Sequence, residues 1–138
     1  MEKHRPKIGY IAGAWDFVHS GHILAFKEAK QQCNYLIAGM AINPQIGNLG
    51  KNTPIMSMEE RYIMLKANKY IDAIVIYDDE YDSIEIDKWF PYDIRFIGED
   101  HKEDDGSYIK KPIIFLSRKH CWSSGNLRKR VFETKKNE

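Results

Sequence analysis

The chain has 138 residues, 43% hydrophobic and 30% charged, and its 21 Lys and Arg against 20 Asp and Glu leave a formal net charge of +1. That length and balance fit one globular domain with a real core, residues 1–138, and the near-neutral charge excludes a nucleic-acid binder working through a global basic field. Cys33 and Cys121 form neither a disulfide framework nor a zinc-ligand spacing, which suits a reducing cytoplasm, and neither an export signal nor a long apolar run points to a membrane.

Met1 to Pro6 reads as a charged lead-in. Lys7 to Ala12 is a short apolar strand that ends in a glycine turn. A helix follows from Ser20 to about Gln32, with Ile23, Leu24, Phe26 and Ala29 near the helical period. Tyr35 to Met40 is a buried strand. Asn43 to Pro54 is a long loop rich in Gly, Asn and Pro, of the kind that often carries function. Ser57 and Glu60 form a capping box at the start of a second helix. Ala73 to Ile76 is a third strand, and Tyr77 to Tyr81 a turn. Asp82 or Ser83 caps a third helix that ends before Pro91. Ile94 to Ile97 is a fourth strand closed by Gly98, His101 to Gly106 a polar loop, and Ile113 to Leu116 a fifth strand. Ser123 or Ser124 caps a last helix to about Phe132, whose basic tail reads as a solvated face.

Strands and helices alternate throughout, which predicts an α/β fold: one Rossmann-like, doubly wound domain of about five parallel strands flanked by helices. In such sheets ligands bind beyond the carboxyl ends of the strands. The segments Gly13 to His22, Ala41 to Lys51, Gly98 to His101 and Ser117 to Ser124 all fall at such ends. The first is the most telling. A strand, a tight turn and a helix N-terminus together offer unpaired N–H groups and partial positive charge to a phosphate. His19 and His22, three residues apart, share a face of the first helical turn and can donate to one anionic group.

His19-Ser20-Gly21-His22 is an HxGH run, preceded by Gly13-Ala14-Trp15-Asp16 in place of a G-T-F-D run. Together they resemble the signature of the nucleotidylyltransferase superfamily. From about residue 7 to 131 the chain is similar to the small cytidylyltransferases, most closely the glycerol-3-phosphate cytidylyltransferases. The resemblance implies transfer of a cytidylyl group from CTP to a phosphorylated alcohol, with Mg²⁺ carried by the nucleotide and no dedicated metal ligands. It also implies a homodimer. An attacking phosphate is already an anion, so the chemistry needs positioning and charge stabilisation rather than a general base.

The resemblance assigns catalytic roles to His19, His22, the loop lysine Lys51 and Arg118. Nucleotide-binding roles go to Ala12, Gly13, Ala14, Trp15 and Gly21 at the first turn, and to Arg61 on the second helix, near a phosphate or a partner subunit. They also go to Gly98, Glu99 and Asp100, a G-x-D run after the fourth strand, and to Ser123 and Ser124. From the residues alone Trp15 reads as core and Asp16 as a turn cap. Arg118-Lys119-His120-Cys121-Trp122-Ser123-Ser124 resembles the family's R-T-E-G-I-S-T only loosely, and Ala14 replaces a threonine. These departures leave open a sugar phosphate, phosphocholine or phosphoethanolamine as acceptor, ATP as donor, or a nucleotide-binding regulatory module without turnover.

Overall fold

The structure is a computed structural model and describes residues 6–101 and 106–136, with side chains to residue 134. The lead-in at 1–5 and the loop at 102–105 lie outside the described residues. Five strands form one parallel sheet: β1 (Ile8–Gly13), β2 (Tyr35–Ala41), β3 (Ala73–Tyr77), β4 (Ile94–Gly98) and β5 (Ile113–Leu116). Four helices accompany them: α1 (Ser20–Lys30), α2 (Met58–Lys66), α3 (Glu80–Trp89) and α4 (Ser124–Lys136). The strand order is β3-β2-β1-β4-β5. The predicted α/β class and its Rossmann-like arrangement are therefore observed. The order reverses beside β1, and the crevice at that reversal is where such sheets receive ligands.

Both faces of the sheet are covered, which is why β2 is apolar without alternation and buried from Leu36 to Ala41. One face packs Phe26 and Ala29 of α1 and Leu65 of α2 on Ile11, Leu36, Met40, Phe96 and Leu116. The other packs Tyr10, Ile37 and Tyr92 against Ile86 and Phe90 at the α3 side. Gly39 belongs to this second contact, since a Cβ there would collide with the Tyr10 hydroxyl.

The helix starts follow local chemistry. Ser57 and Glu60 make the predicted reciprocal cap of α2. The cap of α3 differs from expectation: Asp79, with extended backbone, accepts from the amide of Asp82 at 3.1 Å. Asp82 and Ser83 then lie inside the helix, because the earlier Asp satisfies the free amide first. Ser123 caps α4, its Oγ accepting from Asn126 N at 3.0 Å. That helix runs past Phe132 to Lys136.

Candidate active site

The corner between β1 and α1 is built around two histidines. His19 is the N-cap of α1 in extended conformation. Its Nδ1 accepts from Gly21 N at 3.0 Å, and the Nδ1 of His22 accepts from His19 N at 3.2 Å. The pair thus completes a capping box made of imidazoles, with ring centroids 3.9 Å apart. A ring nitrogen that accepts an amide N–H carries no proton, so each neutral ring holds its proton on Nε2 as a donor. Burial, then His19 and Arg118, push His22 down to about 3. Burial, then Arg118 and His120, lower His19 as well. At neutral pH both rings are uncharged donors. Gly21 is required by the same geometry: a Cβ there would lie 2.8 Å from both His19 Cε1 and the Trp122 carbonyl oxygen.

The turn leading into this corner is strained. Trp15 and Phe17 have φ of 57° and 51°, the left-handed region that bulky residues avoid. Trp15 is held there by its indole N–H, which donates to Gly39 O at 2.8 Å, and by edge contacts to Phe26 and His22. It is 7% exposed and packs as core, as its residue type alone predicts; from there it supports the His22 ring and borders the cleft. Asp16 caps, as expected, but at a distance. It accepts from Ile55 N and Met56 N, both at 2.9 Å, and faces Arg128 at 3.2 Å.

Arg61 takes a task different from the expected phosphate or subunit contact. It is 2% exposed and does not border the cleft. Its guanidinium donates to the carbonyls of Ala14, Ile42, Met56 and Ala41, the first two at 3.0 Å and the third at 3.2 Å. It therefore braces the ends of β1, β2 and the long loop from below. The planar fork of arginine is what allows one side chain to reach so many acceptors. Lys51, by contrast, stands exposed on that loop at the cleft, with Nζ 3.5 Å from Glu80.

Across the cleft the ends of β4 and β5 are locked together. Glu99 accepts from Arg118 N at 2.8 Å. Its carboxylate is thereby committed to the main chain, and it is Asp100, not Glu99, that borders the cleft. The Asp100 carboxylate lies 3.9 Å from the Arg118 guanidinium. Gly98 lets it approach, since a Cβ would sit 2.5 Å from Asp100 Oδ1. After Arg118 the chain makes a tight turn in which His120 stacks on Trp122, their centroids 5.4 Å apart, and Cys121 has φ of 63°. Ser124, whose hydroxyl lies 3.5 Å from Asp16 O, borders the cleft, whereas Ser123 is engaged as the helix cap.

These parts enclose a cleft of about 1080 Å³ at the carboxyl edge of the sheet. It gathers Ala12, Gly13, Ala14 and His22 from the first turn, Lys51 from the loop, and Asp100, Arg118 and Ser124 from the opposite side. His19 adjoins it through the His22 ring, which is tilted 33° against it. The cleft also reaches Arg95, which the motif reading passes over. Arg95 is 8% exposed and donates to Asp87 Oδ1 at 2.9 Å, while Tyr92 OH donates to the same oxygen at 2.7 Å. The available signal is a single arginine inside the apolar strand Ile94-Arg95-Phe96-Ile97. In a sheet covered on both faces such a charge needs a buried partner.

A doubly wound sheet with a histidine-capped helix N-terminus and a facing arginine, all at the switch point, defines a nucleotide-handling α/β protein of the nucleotidyltransferase class. Residues 10–125 match the family described as cytidylyltransferase-like, and the chain belongs to that family. The bifunctional protein HldE of Campylobacter jejuni is 31% identical over 104 residues, 75% of this chain and 22% of that protein. The ethanolamine-phosphate cytidylyltransferase of Dictyostelium discoideum is 36% identical over 75 residues, 54% of this chain and 21% of that one. The chain therefore spans about a fifth of the length of these curated relatives. The crystal structure of a lipopolysaccharide core biosynthesis protein from Thermoplasma volcanium matches with a TM-score of 0.65 at 25% identity, covering 82% of this chain and 98% of that one. Among the described residues no helix is long and apolar enough to cross a membrane.

Proposed function

We propose that this chain transfers a cytidylyl group from CTP to a small phosphorylated alcohol, glycerol 3-phosphate in the first instance, and releases pyrophosphate. The observation that carries this reading is the pair of neutral imidazoles fixed as Nε2 donors beside Arg118. A phosphate oxygen of the acceptor attacks the α-phosphorus, one P–O bond forms, and the bond to the β-phosphate oxygen breaks with its electron pair leaving on pyrophosphate. His19 and His22 donate to oxygens on which negative charge develops, and being fixed they need no reorganisation. Arg118 clamps phosphate oxygens through its fork. Lys51 reaches over the triphosphate from its loop, and the N-terminus of α4 at Ser124 presents further amide donors.

Mg²⁺ belongs to this reading as a companion of the triphosphate, neutralising its charge. It favours phosphate oxygens, water and one or two carboxylates. The carboxylates at the cleft face other groups, Asp100 the Arg118 guanidinium, Asp16 main-chain amides and Glu80 Lys51, so the ion would be carried by the nucleotide. A homodimer and a cytoplasmic setting complete the proposal on the strength of the family likeness and the free cysteines.

The test is pyrophosphate release, with Mg²⁺, across a grid of nucleoside triphosphates and phosphorylated acceptors. Release with CTP and glycerol 3-phosphate is the expected result. Release with ATP or another acceptor moves the substrate and keeps the mechanism. No release from folded, CTP-binding protein across the grid overturns the proposal.

A further inference from the structure

We infer that the α3 side of the cleft receives the body of the acceptor and is built for a neutral, hydroxyl-rich group rather than an ammonium-bearing one. This inference rests on the nucleotidyl-transfer reading above. The cleft's volume of about 1080 Å³ lies at the upper end of the ~300–1,000 Å³ typical of ligand sites, and its lining extends well beyond the histidine corner. The histidine corner, Arg118 and the start of α4 occupy one part. The remainder is lined by Tyr77 at the end of β3, Ser83 on α3, Arg95 and Ile97 on β4, and Phe115 on β5.

The chemistry of this second part is polar but balanced. The Arg95 guanidinium is neutralised by Asp87, 2.9 Å away and fully buried. At the mouth, Glu80 lies one turn before Ser83 on the same helix and is matched by Lys51 at 3.5 Å. An ammonium group entering here would need a free carboxylate or an aromatic cage. The two carboxylates at hand, Asp87 and Glu80, already face cations, and a second cation would sit beside Arg95 and Lys51. A hydroxyl, which both donates and accepts, suits the guanidinium N–H groups and the Tyr77 and Ser83 hydroxyls, which hydrogen-bond to each other and keep capacity for one further partner.

The cluster behind this wall is also short of hydrogen bonds. Tyr10 Oη and Asp87 Oδ2 are buried and have no partner among the described residues. Tyr10 packs against Arg95, whose guanidinium carbon lies 5.3 Å from the ring centroid. A hydroxyl or a water arriving with it can donate to Asp87 Oδ2 without placing a second cation beside Arg95, which an ammonium would do.

Calorimetric titration of the intact chain, saturated with a non-transferable CTP analogue and Mg²⁺, tests the inference. The titrants are glycerol 3-phosphate and a hexose 1-phosphate against phosphoethanolamine and phosphocholine. The hydroxyl-bearing phosphates should bind at least about tenfold tighter. Tyr77→Phe and Ser83→Ala should each weaken them by about fivefold, the size of one net hydrogen bond, without moving affinity for the CTP analogue. Equal or tighter binding of the ammonium phosphates, no binding of either kind, or two silent variants would overturn it. Pyrophosphate release is followed on the same samples. Hydroxyl selectivity without turnover removes nucleotidyl transfer and leaves the assignment of the lobe standing.

Discussion

The His22 ring lies 3.9 Å, centroid to centroid, from the His19 ring, and its Nδ1 accepts the main-chain amide of His19 itself. Each histidine is thus oriented by the backbone of the motif that contains it. Replacing either by alanine removes one donor aimed at developing charge, and turnover should fall by about 10²–10³-fold. Nucleotide affinity should change far less, because Arg118 and the helix N-termini remain. Steady-state kinetics beside a direct nucleotide titration separates the two effects; unaltered turnover in both variants would remove the histidines from the mechanism.

The same pair predicts an acid-sensitive step in stability. Burial holds His22 at about 3 in the folded chain, below the ordinary value of 6.5. Between those values the unfolded chain binds a proton that the folded chain does not, so stability falls as pH drops from about 6.5 toward 3 and is fully present above that window. His19 contributes in the same direction. Melting temperatures measured from pH 7 to 4 should decline less steeply in His22→Gln than in the parent chain. Parallel curves would show that His22 protonates freely.

Arg61 should behave as a brace. Its loss leaves four carbonyls without their donor, and Arg61→Ala should destabilise by about 2–4 kcal/mol in urea unfolding. Arg61→Lys should recover only part, since an ammonium has three donors on a flexible stem and cannot span the same acceptors. Full rescue by lysine would show that charge alone matters there.

Asp87 lies fully buried against Arg95. Asp87→Ala should cost about 3–5 kcal/mol, because it leaves a buried guanidinium uncompensated. Asp87→Asn retains an acceptor oxygen for Arg95 and Tyr92 and should cost less. Denaturation midpoints of the two variants decide whether the charge or the hydrogen bonds dominate.

Lys51 is 43% exposed at its side chain and pairs with Glu80, a contact of small value at a surface. Lys51→Ala should leave stability within ~0.5 kcal/mol. It should raise the KM for the triphosphate by about tenfold, in keeping with one lost hydrogen bond to a charged group. Unchanged kinetics would make Lys51 a bystander.

The sequence carries the fold well because its signals are local. Short apolar runs, the Ser57–Glu60 box and the turn residues locate the strands and the starts of α1, α2 and α4 to within a residue or two, and strand–helix alternation gives the parallel sheet; the start of α3 and the end of α4 are missed by three residues or more. The cap of α3 slips because three acidic residues, Asp78, Asp79 and Asp82, compete for one role, and backbone angles choose among them. Side-chain direction is less legible. Nothing local says that Arg61 turns inward to carbonyls, that Glu99 faces an amide 19 residues away, or that Trp15 adopts a positive φ. Each depends on a partner brought close only by the finished sheet. The lone charge of Arg95 is legible as a demand for a partner, but the identity of Asp87 is not.

Asp16 sits at the first turn, yet its carboxylate partners are 39, 40 and 112 positions further along the chain. Contacts of such long loops close late in folding, since the entropy of bringing distant segments together opposes them until the intervening structure exists. The clasp around Asp16 therefore couples the shape of the first turn to the docking of α4. A chain that has formed its central strands but not yet docked α4 lacks Arg128 against this turn and Ser124 at the cleft, so the cleft has its final geometry only once α4 is in place.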